Sequence, residues 1–260
     1  MTTGDAWENK AWDTLAAELD LWAEAGAKAT LWWRDDDAVA PTPALTRLRA
    51  IATAHGVPVA LAVIPTGATP ELAEHLRGWP GVSVLQHGLS HANHETPPAK
   101  KAELGAARPP DAVLEDLRQG WRRLAGFDPL PVLVPPWNRI AADVIPRLPG
   151  LGYAGISTFT PRRQPCPAPG LIQVNTHVDV IDWRGGGGFA GTGAVIAATV
   201  RHLAALRFGT TDRDEPTGLL THHLVHDDAC HHFLDRFLSA TANHPAVLWL
   251  AAPTVFIPVP

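Results

Sequence analysis

Short apolar runs alternate with segments of helical periodicity along almost the whole chain, and this alternation limits the possible folds more than any other feature. Strands are predicted at residues 31–34, 59–64, 82–86, 132–134, 154–157, 172–175, 218–221 and 247–250. Helices fill the intervals. Two open with Thr42-Pro43 and Thr69-Pro70, where threonine can cap and proline suits the first helical position. Later stripes run through Leu114, Leu117, Trp121 and Leu124, through Val195, Ile196, Val200 and Leu203, and through Phe233, Leu234, Phe237 and Leu238. A leading segment carries Trp12, Leu15, Leu19 and Trp22 at helical spacing and is closed by Gly26. Such a chain folds as α/β, with helices covering a mostly parallel sheet, and seven to eight strands favour a closed barrel over an open doubly wound sheet. With 260 residues, 46% of them hydrophobic, there is material for one large core. We expect a single barrel domain over 28–260, preceded by a helical extension over 1–27.

The polar residues that stand out share one position in this plan, directly after a predicted strand: Asp35 to Asp37, His87 to His91, Pro135 to Asn138, Asp179 to Trp183, and His222-His223. In an α/β barrel those loops gather on one rim. Three adjacent aspartates repel one another unless a cation or an arginine such as Arg34 neutralises them. His87 and His91, with three residues between them, can turn toward a common point. Adding one aspartate oxygen makes a two-His, one-carboxylate set that suits Zn, Fe, Co or Mn and leaves coordination positions free. A neighbouring aspartate can then act as general base.

Other classes are disfavoured. A formal charge of −5 with no basic stripe gives no footprint for nucleic acid. Cys166 and Cys230 are far apart and outside any CxxC, so neither a disulfide framework nor a thiolate zinc site is expected. No run approaches the ~20 apolar residues of a membrane span, and the first ten residues lack an export-signal pattern, so a cytoplasmic location and no membrane partner are expected.

The order of the motifs resembles that of the polysaccharide deacetylases, carbohydrate esterase family four or NodB-type domains: Asp-Asp after the first strand, His-x-x-x-His, Pro-Pro-aromatic, Asp-Trp and a late Leu-x-His, from about Leu31 to His223. The resemblance implies a distorted (β/α) barrel that removes N- or O-acetyl groups from acylated carbohydrates with a divalent metal, zinc first and Co, Mn, Ni or Fe as alternatives. By position it implies Asp36 as base, Asp37, His87 and His91 as metal ligands, and His222 as general acid oriented by Asp182. Pro136, Trp137, Trp183 and Leu220 would line the substrate pocket, with the Trp137 N–H as oxyanion donor. A register shifted by one, Asp35 and Asp36, stays open. The chain departs from the family at Val134-Pro135-Pro136-Trp137-Asn138, where the family has Arg-Pro-Pro-Tyr-Gly, so the arginine that pairs with the catalytic aspartate is missing and Arg34 or Arg139 is left to replace it.

Three rivals follow from the same residues. A metal-dependent hydrolase of a small non-glycan amide shares the whole site, and a non-catalytic glycan-binding relative fits the missing arginine. The run from Arg184 to Gly191 contains G-x-G-x-x-G, but four consecutive glycines satisfy that pattern cheaply and no acidic residue ends the next strand, so a loop beside the pocket is expected. His226, His231, His232 and most of their neighbours are expected at the surface, with His223 and His226 as candidates for the pocket rim.

Overall fold

The computed structural model of the chain describes residues 3–256, so the outer limits at 1 and 260 fall outside the described residues. In chain order the elements are α1 (Thr3–Glu24), β1 (Ala29–Ala38), α2 (Pro43–His55), β2 (Val59–Val63), α3 (Pro70–Arg77), β3 (Val82–His87), α4 (Pro110–Arg123), β4 (Val132–Val134), β5 (Gly155–Ile156), β6 (Ile172–Gln173), β7 (Val178–Asp179), β8 (Ile181–Asp182), β9 (Gly188–Phe189), α5 (Thr192–Phe208), β10 (Thr217–Thr221), α6 (Asp228–Ala242), β11 (Val247–Trp249) and α7 (Ala252–Phe256). The main sheet is parallel and runs β6-β5-β4-β3-β2-β1-β10-β7, with β11 joined to the start of β1.

One bent segment connects the two ends of this sheet. Ile172–Gln173 pairs with β5, and a few residues later Val178–Asp179 pairs with β10, so the same stretch of chain serves as a stave on both sides of the gap. The result is a distorted (β/α) barrel of short staves, as the alternation predicted. No helix is long and apolar enough to cross a membrane among the described residues.

Local chemistry places the helices where expected. The hydroxyls of Thr42 and Thr69 accept the backbone N–H of Leu45 and Leu72 at 3.1 and 3.4 Å, each with proline starting the first turn. Helix α1 buries Trp12, Leu15, Leu19 and Trp22 in the same core as the outer face of the sheet, together with Leu203 and Leu206 of α5 and Phe233 and Phe237 of α6. The barrel interior is a second core, built from Trp32, Ala60, Ala62, Leu85, Val132 and Val134. Its lower end is stoppered by α7, whose Phe256 meets Trp32 edge-on with ring centroids 5.4 Å apart.

Strand β1 extends further than predicted and carries the acidic triplet within it rather than after it. Side chains alternate along a strand, so Trp32, Arg34 and Asp36 face the interior while Trp33 and Asp35 face outward. Asp37 breaks the alternation. Its φ of 72° coincides with a register shift between β1 and β2, a bulge that re-aims its carboxylate toward the rim above β3. Three consecutive acids thus enter three environments, and each finds its own partner.

Candidate active site

The rim at the C-terminal ends of the strands holds an open cavity of about 690 Å³, lined among others by Asp36, Asp37, His87, His91, Trp137, Asp179, Trp183 and His222. At its floor, Asp37 Oδ1 lies 3.2 Å from His87 Nε2 and 3.4 Å from His91 Nε2. One ligand atom from each of these three residues falls within 4.8 Å of the others. His87 Nδ1 is 2.9 Å from the Val134 carbonyl oxygen, an acceptor, so Nδ1 carries the hydrogen and a neutral ring points the Nε2 lone pair at the carboxylate. Two lone pairs facing each other in a buried place repel unless a proton or a cation lies between them. Asp37 Oδ1 is itself buried and accepts no hydrogen bond. This donor set fits a divalent metal with two imidazoles and one carboxylate.

The titration tendencies have the same origin. Burial alone would raise the Asp37 pKa, but the adjacent imidazoles, His87 foremost, outweigh it and hold the carboxyl well below its usual range. Burial also opposes protonation of His87, yet Asp37 and Asp36 move its pKa up. For His91, burial and then the charge of His87 push it down.

The loop carrying both histidines is braced from beneath. Glu103, fully buried, accepts the backbone N–H groups of Leu89, Ser90 and His91 at 3.2, 2.7 and 3.2 Å, and the Ser90 hydroxyl at 2.9 Å. Gly88 has a φ of 56° and lies so close to Glu103 that a Cβ there would be 2.0 Å from the carboxylate, so glycine is required. His91 also adopts a left-handed backbone, with φ 55°. Its ring rests against Trp137, centroids 4.2 Å apart, and Trp137 too is left-handed at φ 55° and ψ 17°. Such non-glycine conformations are held only where surrounding contacts over-determine them.

Beside Asp37, His87 and His91, Asp36 is gripped from inside the barrel. Arg34 binds it bidentately, Nε to Oδ1 at 2.8 Å and Nη2 to Oδ2 at 2.9 Å. The same guanidinium donates to Ser157 Oγ and Asn138 Oδ1, both at 2.7 Å. His222 Nε2 stands 4.0 Å from Asp36 Oδ2 on the far side. Its ring meets Trp183 edge-on at 4.8 Å, and Trp183 Nε1 donates to Asp179 Oδ2 at 2.9 Å. Burial raises the Asp179 pKa, with the nearby His222 pulling the other way.

The neighbours of His222 are clamped to β1 by the outward-facing Asp35. Its carboxylate accepts the Thr221 hydroxyl at 2.6 Å and the His223 backbone N–H at 3.0 Å, and meets His223 Nδ1 at 2.5 Å. Thr221 in turn accepts Trp33 Nε1 at 2.8 Å. Burial would raise the Asp35 pKa, but His223 lowers it on balance, and His223 is raised by Asp35 against its own burial.

No protein-family model matches the chain, and no curated protein does. Solved structures do. A family 4 carbohydrate esterase from Streptomyces lividans, in complex with acetate, is 15% identical with a TM-score of 0.58 over 88% of this chain and 96% of that one. A Mycobacterium smegmatis protein named as a candidate polysaccharide deacetylase is 16% identical with a TM-score of 0.61 over 88% and 89%. The chain has the family 4 carbohydrate esterase fold. A family 4 pseudoenzyme from Bacillus anthracis shares it too, 15% identical with a TM-score of 0.50 over 82% of this chain and 60% of that one, so the fold alone does not decide activity.

On this esterase fold Asp37, His87 and His91 converge, while Asp35 points away from them toward His223. Of the two arginines left to pair with Asp36, Arg34 reaches it from two residues upstream, whereas Arg139 turns to the Lys101 carbonyl at 2.7 Å. Three residues that the motif order assigns to the site, Asp182 beside His222 and Leu220 and Pro136 in the pocket, are not among those that line the cavity. Asp182 is exposed and spends its carboxylate on the backbone N–H groups of Arg184 and Gly185, at 3.0 and 2.9 Å, so the carboxylate that reaches the His222 and Trp183 pair is Asp179. Leu220 is buried within β10, and Pro136 is packed under Gly88; neither is among the residues that line the cavity, whereas Trp137 and Trp183 are. His223 and His231, expected at the rim and the surface, are buried. The glycine run from Gly185 to Gly188 shapes the turn of the β8–β9 hairpin. Glu103 gave no signal, because a single acid inside a polar loop looks like a solvated one.

Proposed function

We propose that the chain is a metal-dependent deacylase of an N- or O-acylated sugar, with Asp37, His87 and His91 as the ligands. The observation that carries this is the buried, donorless Asp37 Oδ1 facing two imidazoles, next to an arginine-held Asp36 and within reach of His222. Proteins of the same fold are named for polysaccharide and peptidoglycan deacetylation, which supports an acylated carbohydrate substrate. A bound divalent cation, with zinc preferred, supplies polarisation of the acyl carbonyl and a water of lowered pKa.

The side chains do the rest. Asp36, fixed by two parallel hydrogen bonds from Arg34, presents its second lone pairs to the cavity and takes the proton of the attacking water. His222, on the opposite side of Asp36, delivers a proton to the departing amine or alcohol. The Trp137 N–H serves as donor to the developing oxyanion. Trp183 and Trp137 enclose the sugar ring between aromatic walls.

The test compares metal content and acetate release from N-acetylated oligosaccharides in the parent, His87→Ala and Asp36→Asn. Loss of metal is expected in the first and a metal-replete inactive protein in the second. Acetate release by Asp36→Asn at the parent rate would remove Asp36 from the mechanism.

A further inference from the structure

The cavity mouth is basic although the protein as a whole is acidic, with a formal charge of −5. Lys101 from the loop after β3, Arg139 from the loop after β4 and Arg184 from the β8–β9 turn all line it. Among the described residues none of the three has a carboxylate within ion-pair distance, whereas Arg108, Arg162 and Arg207 elsewhere are each matched by an acid at 2.5 to 3.0 Å. Arg139 is the best anchored: its Nη1 donates to the Lys101 carbonyl, which ties two of the three loops together.

The acids on the floor do not offset this rim. Asp36 is paired with Arg34, Asp37 lies between two imidazoles, and Asp179 is occupied by the N–H groups of Ile181 and Trp183, so none of them pairs with the three rim cations. Three like charges from separate loops around one opening repel one another, and a ligand of opposite sign relieves that repulsion. Between the cations stand Trp137, Phe159 and Trp183, flat apolar surfaces of the kind on which a sugar ring rests.

From this we infer that the site takes an acylated sugar bearing an anionic substituent, a phosphate ester or a carboxylate, held by Lys101, Arg139 and Arg184. This rests on the deacylase reading and narrows it. A guanidinium suits both groups because its planar fork matches two oxygens at once, while lysine contributes a point charge.

Acetate release by the metal-loaded full chain is measured with N-acetylglucosamine, N-acetylglucosamine 6-phosphate and N-acetylmuramic acid, at low and high ionic strength. In parallel, calorimetry follows binding of glucosamine 6-phosphate and of glucosamine. The expected result is a kcat/KM at least about tenfold higher for one or both anionic sugars, shrinking with salt. The same preference should collapse toward unity in the Arg139→Gln, Arg184→Gln double variant. Preference for the phosphate over the carboxylate, or the reverse, identifies which anion the site reads. Equal turnover of all three sugars would overturn the charge inference and leave the deacylase standing. No acetate from any sugar, with metal bound, would remove the deacylase reading; tighter binding of the phosphorylated amino sugar than of glucosamine, lost in the double variant, would then still support the basic rim as an anion site, and equal binding would overturn that as well.

Discussion

Replacing Asp35 tests whether His222 is placed by its neighbours. The carboxylate receives three donors, two of them from His223 and one from Thr221, the residues on either side of His222. Asp35→Ala strands all three in a fully buried position, and removing one partner of a buried pair costs about 3–5 kcal/mol. In a chain of this size that lowers the melting temperature by about 6–20 °C. The imidazole at 222, no longer held on both sides, shifts, and about 1 Å of misplacement costs about 10²-fold in rate. Asp35→Asn is the informative companion. Its oxygen can still accept Thr221 and the His223 N–H, and its amide can donate to His223 Nδ1 once that ring takes the other tautomer. The clamp therefore survives without the charge. The assay uses two substrates, an N-acetyl amino sugar, whose amine must be protonated to leave, and 4-nitrophenyl acetate, whose phenolate leaves unaided. Asp35→Ala should lose about 10²-fold on the amide and only a few-fold on the ester, and Asp35→Asn should recover most of the amide rate. Equal losses on both substrates in Asp35→Ala would mean that the whole site had deformed, and the positioning role would have to be abandoned.

Other expectations follow from single contacts. Arg34→Lys cannot reproduce the fork on Asp36 or reach Ser157 and Asn138 together, so kcat should fall by at least about tenfold while metal stoichiometry, read by atomic absorption, stays at the parent level. Glu103→Gln turns one oxygen that gathers backbone N–H groups beneath His91 into a donor, and metal affinity measured by chelator competition should weaken about 10–100-fold. His202 is buried against Thr217 and stacked on His177, and burial, with the charge of His177, lowers its pKa from 6.5 to about 3. Its neutral form belongs to the fold and its protonated form to the unfolded chain. The stability it contributes is complete above pH 6.5 and is lost as the pH falls toward 3, by about 2 kcal/mol at pH 5. Urea midpoints at pH 7.5 and 5 should show this difference, and His202→Gln should reduce it; an unchanged slope in that variant would assign the pH dependence to other groups.

The barrel could be read from the sequence because its signals are local. Threonine followed by proline starts α2 and α3, and the apolar runs become β2, β3 and β10 within a residue or two. The meeting of His87 and His91 could be read because one closes β3 and the other follows within one turn of chain. What could not be read depended on pairing across the sheet. Nothing local distinguishes Asp35 from Asp36, yet the pleat turns one toward His223 and the other toward Arg34. Nothing local tells Asp179 from Asp182 either; the difference is that the second is consumed by the turn it begins. Glu103 is silent for a related reason, since its partners are backbone groups 12 to 14 positions away.

The path of β1 has an evolutionary corollary. With three acids in consecutive positions serving three different neighbourhoods, a gain or loss of one residue between Trp33 and Ala38 would hand every carboxylate to the wrong neighbour at once. Composition would barely change and the protein would still be acidic at that spot. Descendants of this chain can therefore drift freely in the surrounding loops, but the spacing inside that single stave must be copied faithfully.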